Sequence, residues 1–231
     1  MNTLAIDTSN DELGVAITKN NQVIGELMTR SKQDHSTRLM PAIVDLMERT
    51  KTEQNELDAI IVTHGPGSYT GSRIGVTTAK TMAWGLGIPI YTVSSLALLA
   101  MNGRMSSYYI CPFFDARRQS VFTGLYKWDQ NQLVEVEEEC NMLMEDWLDK
   151  LKEYEEKIIF ISPHIDVFTE RINDIMESQA ILLDHVLNRI MPSNMHTMLQ
   201  WTNEAKVHHV APNYLRKTEA ETKLLNKQKD E

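Results

Sequence analysis

Gly65-Pro66-Gly67-Ser68-Tyr69-Thr70-Gly71-Ser72-Arg73-Ile74-Gly75 directly follows the apolar run Ala59-Ile60-Ile61-Val62. Glycine weakens regular elements and serves where backbone must turn sharply or approach another group closely. Four glycines in eleven residues after an apolar run therefore predict a strand ending in a tight turn. From Ser72 onward, Ile74, Val76, Ala79, Met82 and Ala83 recur at helical spacing. Strand, glycine turn and helix together point free backbone N–H groups at an anion. No Lys-Ser/Thr follows the glycines and the GxGxxG spacing is not met, so this is neither a Walker loop nor a dinucleotide fingerprint. The same residues also suit a tight turn with close helix–sheet packing and no ligand.

Upstream, Thr3-Leu4-Ala5-Ile6 runs as a short buried strand into Asp7-Thr8-Ser9. Leu13–Thr18 and Val23–Leu27 read as two further strands, and Lys19-Asn20-Asn21-Gln22 has hairpin chemistry. His35-Ser36-Thr37-Arg38 opens a first helix, with Ser36 or Thr37 as N-cap. Its apolar side is Leu39, Met40, Ile43, Val44, Leu46 and Met47. A strand spans Leu57 to Thr63. Downstream, the second helix runs to about Leu86, a strand covers Ile88–Val93, and Ser94-Ser95 caps a short helix ending near Asn102-Gly103. The order βββ-αβ-αβ-α predicts an antiparallel hairpin on a sheet continued by parallel crossovers.

After Gly103 strands are predicted at 108–114, 121–128 and 132–139, a helix at 144–154, a strand at 157–161, and helices at 166–176 and 194–201. This second meander suggests an internal duplication. The expected division is a first lobe at 1–103, a second lobe at 104–211, and a charged C-terminal segment at 212–231.

The chain has 231 residues, 42% hydrophobic and 24% charged, as in ordinary soluble globular proteins. No apolar run approaches the ~20 residues of a membrane span, and Asp7 interrupts any signal-peptide core, so a cytoplasmic protein is expected. Cys111 and Cys140 lack metal-ligand or redox spacing and are expected as isolated thiols. A net charge of −9 opposes a large nucleic-acid footprint. If the protein serves RNA, another molecule is expected to hold most of it.

Polar candidates for chemistry are Asp7, Asp11, Glu12, Asp115, Arg117 and Arg118. Two carboxylates near a strand end could divide acid and base roles if their environments split their pKa values. Asp115-Ala116-Arg117-Arg118 reads as a structural ion-pair cluster at the lobe junction, or as a pair of arginines facing an anionic substrate. His35, His64, His164, His185, His196, His208 and His209 suit surface or capping roles, and no Ser-His-Asp or Cys-His arrangement follows from spacing. A binding surface is a better prospect. Gly71, Gly75 and Ala79 at four-residue spacing predict a flat helix side open to another backbone. Beside it lie Met82 and Trp84, and Met40, Ile43, Val44 and Met47 stand on the first helix. Methionine and aromatic residues suit interface cores. Arg73, Val76 and Lys80 complete this predicted surface.

Three stretches together resemble the bacterial TsaB (YeaZ) family: Ile6 through Gly14, His35-Ser36 with Leu39-Met40-Pro41, and Gly65 through Gly75. Pro212-Asn213-Tyr214-Leu215-Arg216 resembles that family's C-terminal motif. The resemblance implies a two-lobed α/β fold of the actin-like (ASKHA, Hsp70-like) kind, each lobe a mixed sheet with a three-strand meander and flanking helices. It also implies a part in making threonylcarbamoyladenosine in tRNA beside a catalytic relative, TsaD, and a small ATPase, TsaE. Enzymes of that superfold grip nucleotide with glycine-bearing turns. Here the first turn, Asp7-Thr8-Ser9, has Ser9 at the usual glycine, Asp115-Ala116-Arg117-Arg118 has none, and no glycine follows Gly124. TsaD carries an HxxxH metal pair that this chain lacks. Asp7, Thr8, Ser9, His35, Gly65, Gly67, Asp115, Arg117 and Arg118 are thus expected as a vestigial phosphate-turn motif, with no catalytic residues, no metal and no cofactor of its own. ATP would be used by the assembled complex. By this resemblance the chain is a degenerate paralogue that docks on TsaD through its first two helices, pairs with itself when alone, and meets tRNA indirectly. The alternative is a weak ATPase or metallopeptidase-like enzyme acting on its own.

Overall fold

The structure, a computed structural model, describes residues 1–30 and 34–215. Arg216 and the charged tail beyond it lie outside the described residues. Strands β1 (Thr3–Asp7), β2 (Glu12–Lys19) and β3 (Gln22–Arg30) form an antiparallel meander. Helix α1 (His35–Thr50) leads to β4 (Ala59–Thr63), α2 (Tyr69–Leu86) to β5 (Ile90–Val93), and both β4 and β5 run parallel to β1. A short α3 (Ser95–Ala100) then connects to a second meander of β6 (Tyr109–Asp115), β7 (Ser120–Asp129) and β8 (Gln132–Leu143). Helix α4 (Met144–Leu151), β9 (Ile158–Ile161), α5 (Ile165–Met176) and β10 (Ala180–Leu182) follow, with β9 parallel to β6 and β10 parallel to β9. The one-turn helix α6 (Met195–Met198) and β11 (Glu204–Ala205) return to the first sheet, where β11 pairs antiparallel with β5.

The two sheets read β11-β5-β4-β1-β2-β3 and β10-β9-β6-β7-β8. Apart from β11 they repeat one order and one set of strand directions, the two-lobed α/β arrangement expected from the paired meanders. Alternation along buried strands builds the layers. Leu4 and Ile6 of β1, with Ile60 and Val62 of β4, meet Leu39, Ile43 and Leu46 of α1 and Val76, Ala79 and Ala83 of α2. Ala5 and Ile61 turn the other way, into a middle layer with Leu96, Leu98 and Leu99 of α3 and Ile159 and Ile161 of β9. Ile158 and Phe160 of β9 face Trp147 and Leu148 of α4 and Phe168 and Ile172 of α5. Each such Leu, Ile or Phe stabilises the fold by about 1.5–3 kcal/mol through burial.

The lobes are also joined by polar contacts. Glu139 of β8 accepts from the Ser94 hydroxyl ahead of α3 and, at 2.6 Å, from Tyr126 Oη. Burial holds Glu139 above the usual carboxylate range, against the pull of those two hydroxyls.

Several boundaries differ from the sequence reading. The N-cap of α1 is Asp34, whose carbonyl accepts from both the amide and hydroxyl of Thr37, so neither Ser36 nor Thr37 is the cap. Helix α2 begins at Tyr69, not Ser72, because the Ser68 hydroxyl caps it by accepting from the Gly71 amide at 3.2 Å. The predicted helix over 194–201 is one turn of α-helix flanked by 3₁₀ turns. Strands β10 and β11 went unforeseen. Among the described residues no helix is long and apolar enough to cross a membrane.

Candidate functional site

The carboxyl ends of β1 and β4 place Asp7 and the glycine stretch side by side. Asp7 is buried, and its carboxylate accepts from Thr63 Oγ1 at 2.5 Å, Ser9 Oγ at 2.7 Å, the Ser9 amide at 3.2 Å and Asn10 Nδ2 at 3.5 Å. Burial raises its pKa, while the Thr63 and Ser9 hydrogen bonds and His35 pull it back down. Every one of these donors belongs to the chain itself: Oδ1 takes the Thr63 and Ser9 bonds, and Oδ2 only the longer contact to Asn10.

The glycines are spent in the same way. A Cβ at Gly71 would lie 2.0 Å from the Thr8 carbonyl oxygen, and one at Gly67 would lie 2.1 Å from that of Ser9. The Thr8 hydroxyl donates to the Gly71 carbonyl at 2.7 Å, and the Ser68 amide donates to the Ser9 carbonyl at 2.6 Å. Gly75 admits the Thr8 hydroxyl, and Gly65 sits against the Asn213 backbone. Of the two readings of the glycine turn, close helix–sheet packing is the one the geometry supports. The flat side predicted for α2 is real but faces Thr8 of the same chain. Gly71, Gly75, Val76 and Ala79 are buried there, as are Ile43 and Met47 of α1. These six are packed within this chain.

What remains exposed is a different strip. Met40 and Val44 of α1 are 45% and 46% exposed, Trp84 at the end of α2 is 68% exposed, and Met82 is half-buried. Arg73 lies over the Tyr69 ring at 3.9 Å and donates through Nε to Tyr214 Oη at 2.6 Å. Lys80 donates to the carbonyls of Val210 at 2.8 Å and His208 at 3.3 Å. These two cations fasten the C-terminal segment along α2, beside the apolar strip. Tyr69, Tyr214, Asn213 and Thr63 were missed in the sequence as site partners. The only signal was that Tyr214 and Asn213 lie in the quoted C-terminal motif.

Between the N-termini of α1 and α2 lies an open cleft of about 640 Å³, lined by Asn10, Asp11, Arg30, Asp34, His35, Ser36, Ser68, Thr70, Gly71 and Ile74. His35 Nε2 lies 2.7 Å from the Asn10 carbonyl, tying α1 to the Asp7 turn. Asp11 and Arg30 form an exposed ion pair at 3.5 Å.

The β6–β7 turn of the second lobe carries the other predicted polar group. The Asp115 amide donates to His164 Nδ1 at 3.3 Å, and burial holds His164 below the usual imidazole value. Asp115 and Asp11 raise it while Arg30 lowers it. The predicted ion-pair cluster is not formed here. Asp115 Oδ1 accepts from the Arg117 amide at 2.8 Å, and neither Arg117 nor Arg118 is in an ion pair among the described residues. Asp7 and Asp115 are thus each engaged by their own turns. Among the described residues, no three His, Cys, Asp or Glu side chains converge as a metal ion requires.

With this geometry in place, comparison with known proteins gives a consistent answer. The chain is 42% identical over 229 residues to a Bacillus subtilis protein named "tRNA threonylcarbamoyladenosine biosynthesis protein TsaB", covering 99% of this chain and all of that one. The chain belongs to the TsaB family. An Escherichia coli K12 protein of the same name is 29% identical over 60% of each chain. The profile of the family described as "TsaD: tRNA N6-adenosine threonylcarbamoyltransferase" matches residues 22–224. In fold, the chain is similar to the crystal structure titled "YeaZ from Pseudomonas aeruginosa", at a TM-score of 0.76 and 22% identity over 93% of this chain and 99% of that one.

Proposed function

We propose that this chain is a non-catalytic accessory subunit for threonylcarbamoyladenosine synthesis in tRNA. It docks on a TsaD-like transferase through the exposed strip of α1 and α2, and the assembled pair transfers threonylcarbamoyl to adenosine 37 of tRNAs that read codons beginning with A. A TsaE-like ATPase and ATP act on that assembly, the partner carries most of the tRNA, and the free chain pairs with itself through the same strip. The observation that carries the reading is the closed Asp7 turn. Its Oδ1 is taken by Thr63 and Ser9, and the space beside Gly71 and Gly67 is filled by the Thr8 and Ser9 carbonyl oxygens. A phosphate-gripping turn needs glycine backbone open to the anion, and here carbonyl oxygens of the same chain occupy that approach. Docking raises the partner's activity by favouring its transferring conformation, since binding shifts an equilibrium only through a preference for one state.

The test is threonine incorporation into unmodified tRNA with TsaD, TsaE, ATP and a source of threonylcarbamoyl-adenylate, with and without this chain. Modification requiring both this chain and TsaD is expected. Full modification without this chain would sink the reading, and modification with this chain but without TsaD would establish an active site of its own.

A further inference from the structure

Three hairpin turns of this chain hold consecutive non-glycine residues in the left-handed region, and one is chemically out of place. Between β2 and β3 the residues are Asn20 and Asn21, with φ of 50° and 64°, and between β7 and β8 they are Gln130 and Asn131, with φ of 46° and 66°. Asparagine tolerates this conformation, which is why such turns select it. Between β6 and β7 the residues are Arg117, Arg118 and Gln119, with φ of 68°, 54° and 61°. No asparagine or glycine relieves any of the three. The turn is nonetheless firmly fixed. Asp115 Oδ1 holds the Arg117 amide, the Ala116 amide donates to the Ser120 carbonyl, and the Ser120 amide donates to that of Arg117. The Met144 amide closes the turn by donating to the Gln119 carbonyl at 2.9 Å. Strain kept in place by surrounding contacts marks positions held for a use beyond folding.

The two side chains so displayed are exposed guanidinium groups on a chain of net charge −9. Carboxylates are abundant, yet the nearest in sequence, Asp115, serves the backbone, and neither arginine enters an ion pair among the described residues. Guanidinium matches phosphate in a bidentate fork and is weakly hydrated, so two exposed arginines on a fixed backbone turn suit phosphodiester oxygens.

We infer that Arg117 and Arg118, displayed on the β6–β7 turn, contact the RNA phosphate backbone. This rests on the accessory-subunit reading above and adds to it a direct, local RNA contact from this chain. Such contacts position RNA without reading its sequence. The acidic remainder of the chain keeps the contact weak unless a partner brings the RNA.

The test titrates unmodified tRNA transcript against the complex of this chain with TsaD, by fluorescence anisotropy at several NaCl concentrations. The Arg117→Gln/Arg118→Gln variant is expected to flatten the slope of log affinity against log salt by about one to two, and to weaken binding about tenfold near 0.1 M. Arg117→Lys/Arg118→Lys should restore the slope, and Arg171→Gln, which breaks an ion pair with Glu145 elsewhere on the second lobe, should leave it unchanged. Unchanged affinity and slope in the double Gln variant would overturn the inference. So would loss of co-elution with TsaD, which would make the arginines a protein contact, or an equal effect from Arg171→Gln. Omitting this chain from the modification assay separates the two readings. If omission abolishes modification while the Gln variant binds tRNA normally, only the arginine contact fails; if omission changes nothing, the accessory reading fails.

Discussion

Substituting Gly71 by alanine separates a helix face packed on its own chain from one reserved for a partner. In an exposed helix interior the change stabilises by about 1 kcal/mol through helix propensity. At Gly71 the new methyl falls 2.0 Å from the Thr8 carbonyl oxygen and 3.2 Å from the Ser68 side chain. The first neighbour is backbone, so α2 must move away from β1 by more than an ångström to reach ordinary contact. Overpacking of this kind costs about 1–3 kcal/mol. The displacement also strains the Thr8 hydroxyl bond to the Gly71 carbonyl, 2.7 Å long and worth about 0.5–1.5 kcal/mol. Set against the propensity gain, the net loss is about 2 kcal/mol. Gly85 provides the matched control. It lies in the same helix with nothing within 4 Å of the place a methyl would take, so Gly85→Ala should stabilise by about 0.5–1 kcal/mol. Urea denaturation of the isolated chain should show midpoints displaced in opposite directions with unchanged m-values. Equal or greater stability of Gly71→Ala relative to wild type would refute the packing argument. A Gly71→Ala protein that is fully stable but fails to bind TsaD would return Gly71 to the interface.

Three further expectations follow from the same geometry. Val44→Arg should leave the isolated chain's stability within about 0.5 kcal/mol, because the side chain is already half exposed, yet weaken TsaD docking at least tenfold by titration calorimetry; unimpaired docking would move the interface elsewhere. Asp7 and Glu139 are both held above the ordinary carboxylate range by burial, so the folded state binds protons that the unfolded state has released. Their contribution is greatest below about pH 4 and is lost as pH rises through the raised folded values. Asp7→Asn should therefore flatten the fall in urea midpoint as pH rises above about 4, and an unchanged fall would refute the assignment. Cys111 is fully buried, accepts from Trp147 Nε1 at 3.2 Å, and burial pushes its thiol up to about 11. A disulfide reagent at pH 8 should modify Cys111 only after denaturation, whereas prompt reaction of both thiols in the native protein would contradict that burial.

The sequence made the layered α/β core legible where signals were local and strong. Apolar runs such as Leu4–Ile6 and Ile60–Val62 are buried on both faces, and Asn20-Asn21 sits at a hairpin that requires left-handed backbone. Strands β10 and β11, of three and two residues, carry no period to read and exist because β9 and β5 offer free edges. The N-cap of α1 differs from the sequence reading because Asp34, Ser36 and Thr37 are all favoured cap residues within one turn, and preference alone does not choose among them. The glycine turn was correctly placed between strand and helix, but its neighbours were not legible. Thr8 lies 63 residues from Gly71, and only strand pairing brings them together. The same limit hid the link between Arg73 and Tyr214, which are 141 residues apart, although both motifs were singled out.

The return of the chain to its first sheet has a consequence for how the protein is made. Pro192 packs on Gly14 of β2, β11 closes the edge of β5, the Asn213 amide bonds the His64 carbonyl, and Tyr214 locks onto Arg73. All elements of the second sheet are synthesised before these residues appear. On the ribosome, the later-encoded lobe can therefore finish its sheet while the earlier-encoded one still waits for its last strand, its clasp and one flank of α2. The lobe made first is completed last, since its closing contacts reach as far as Tyr214.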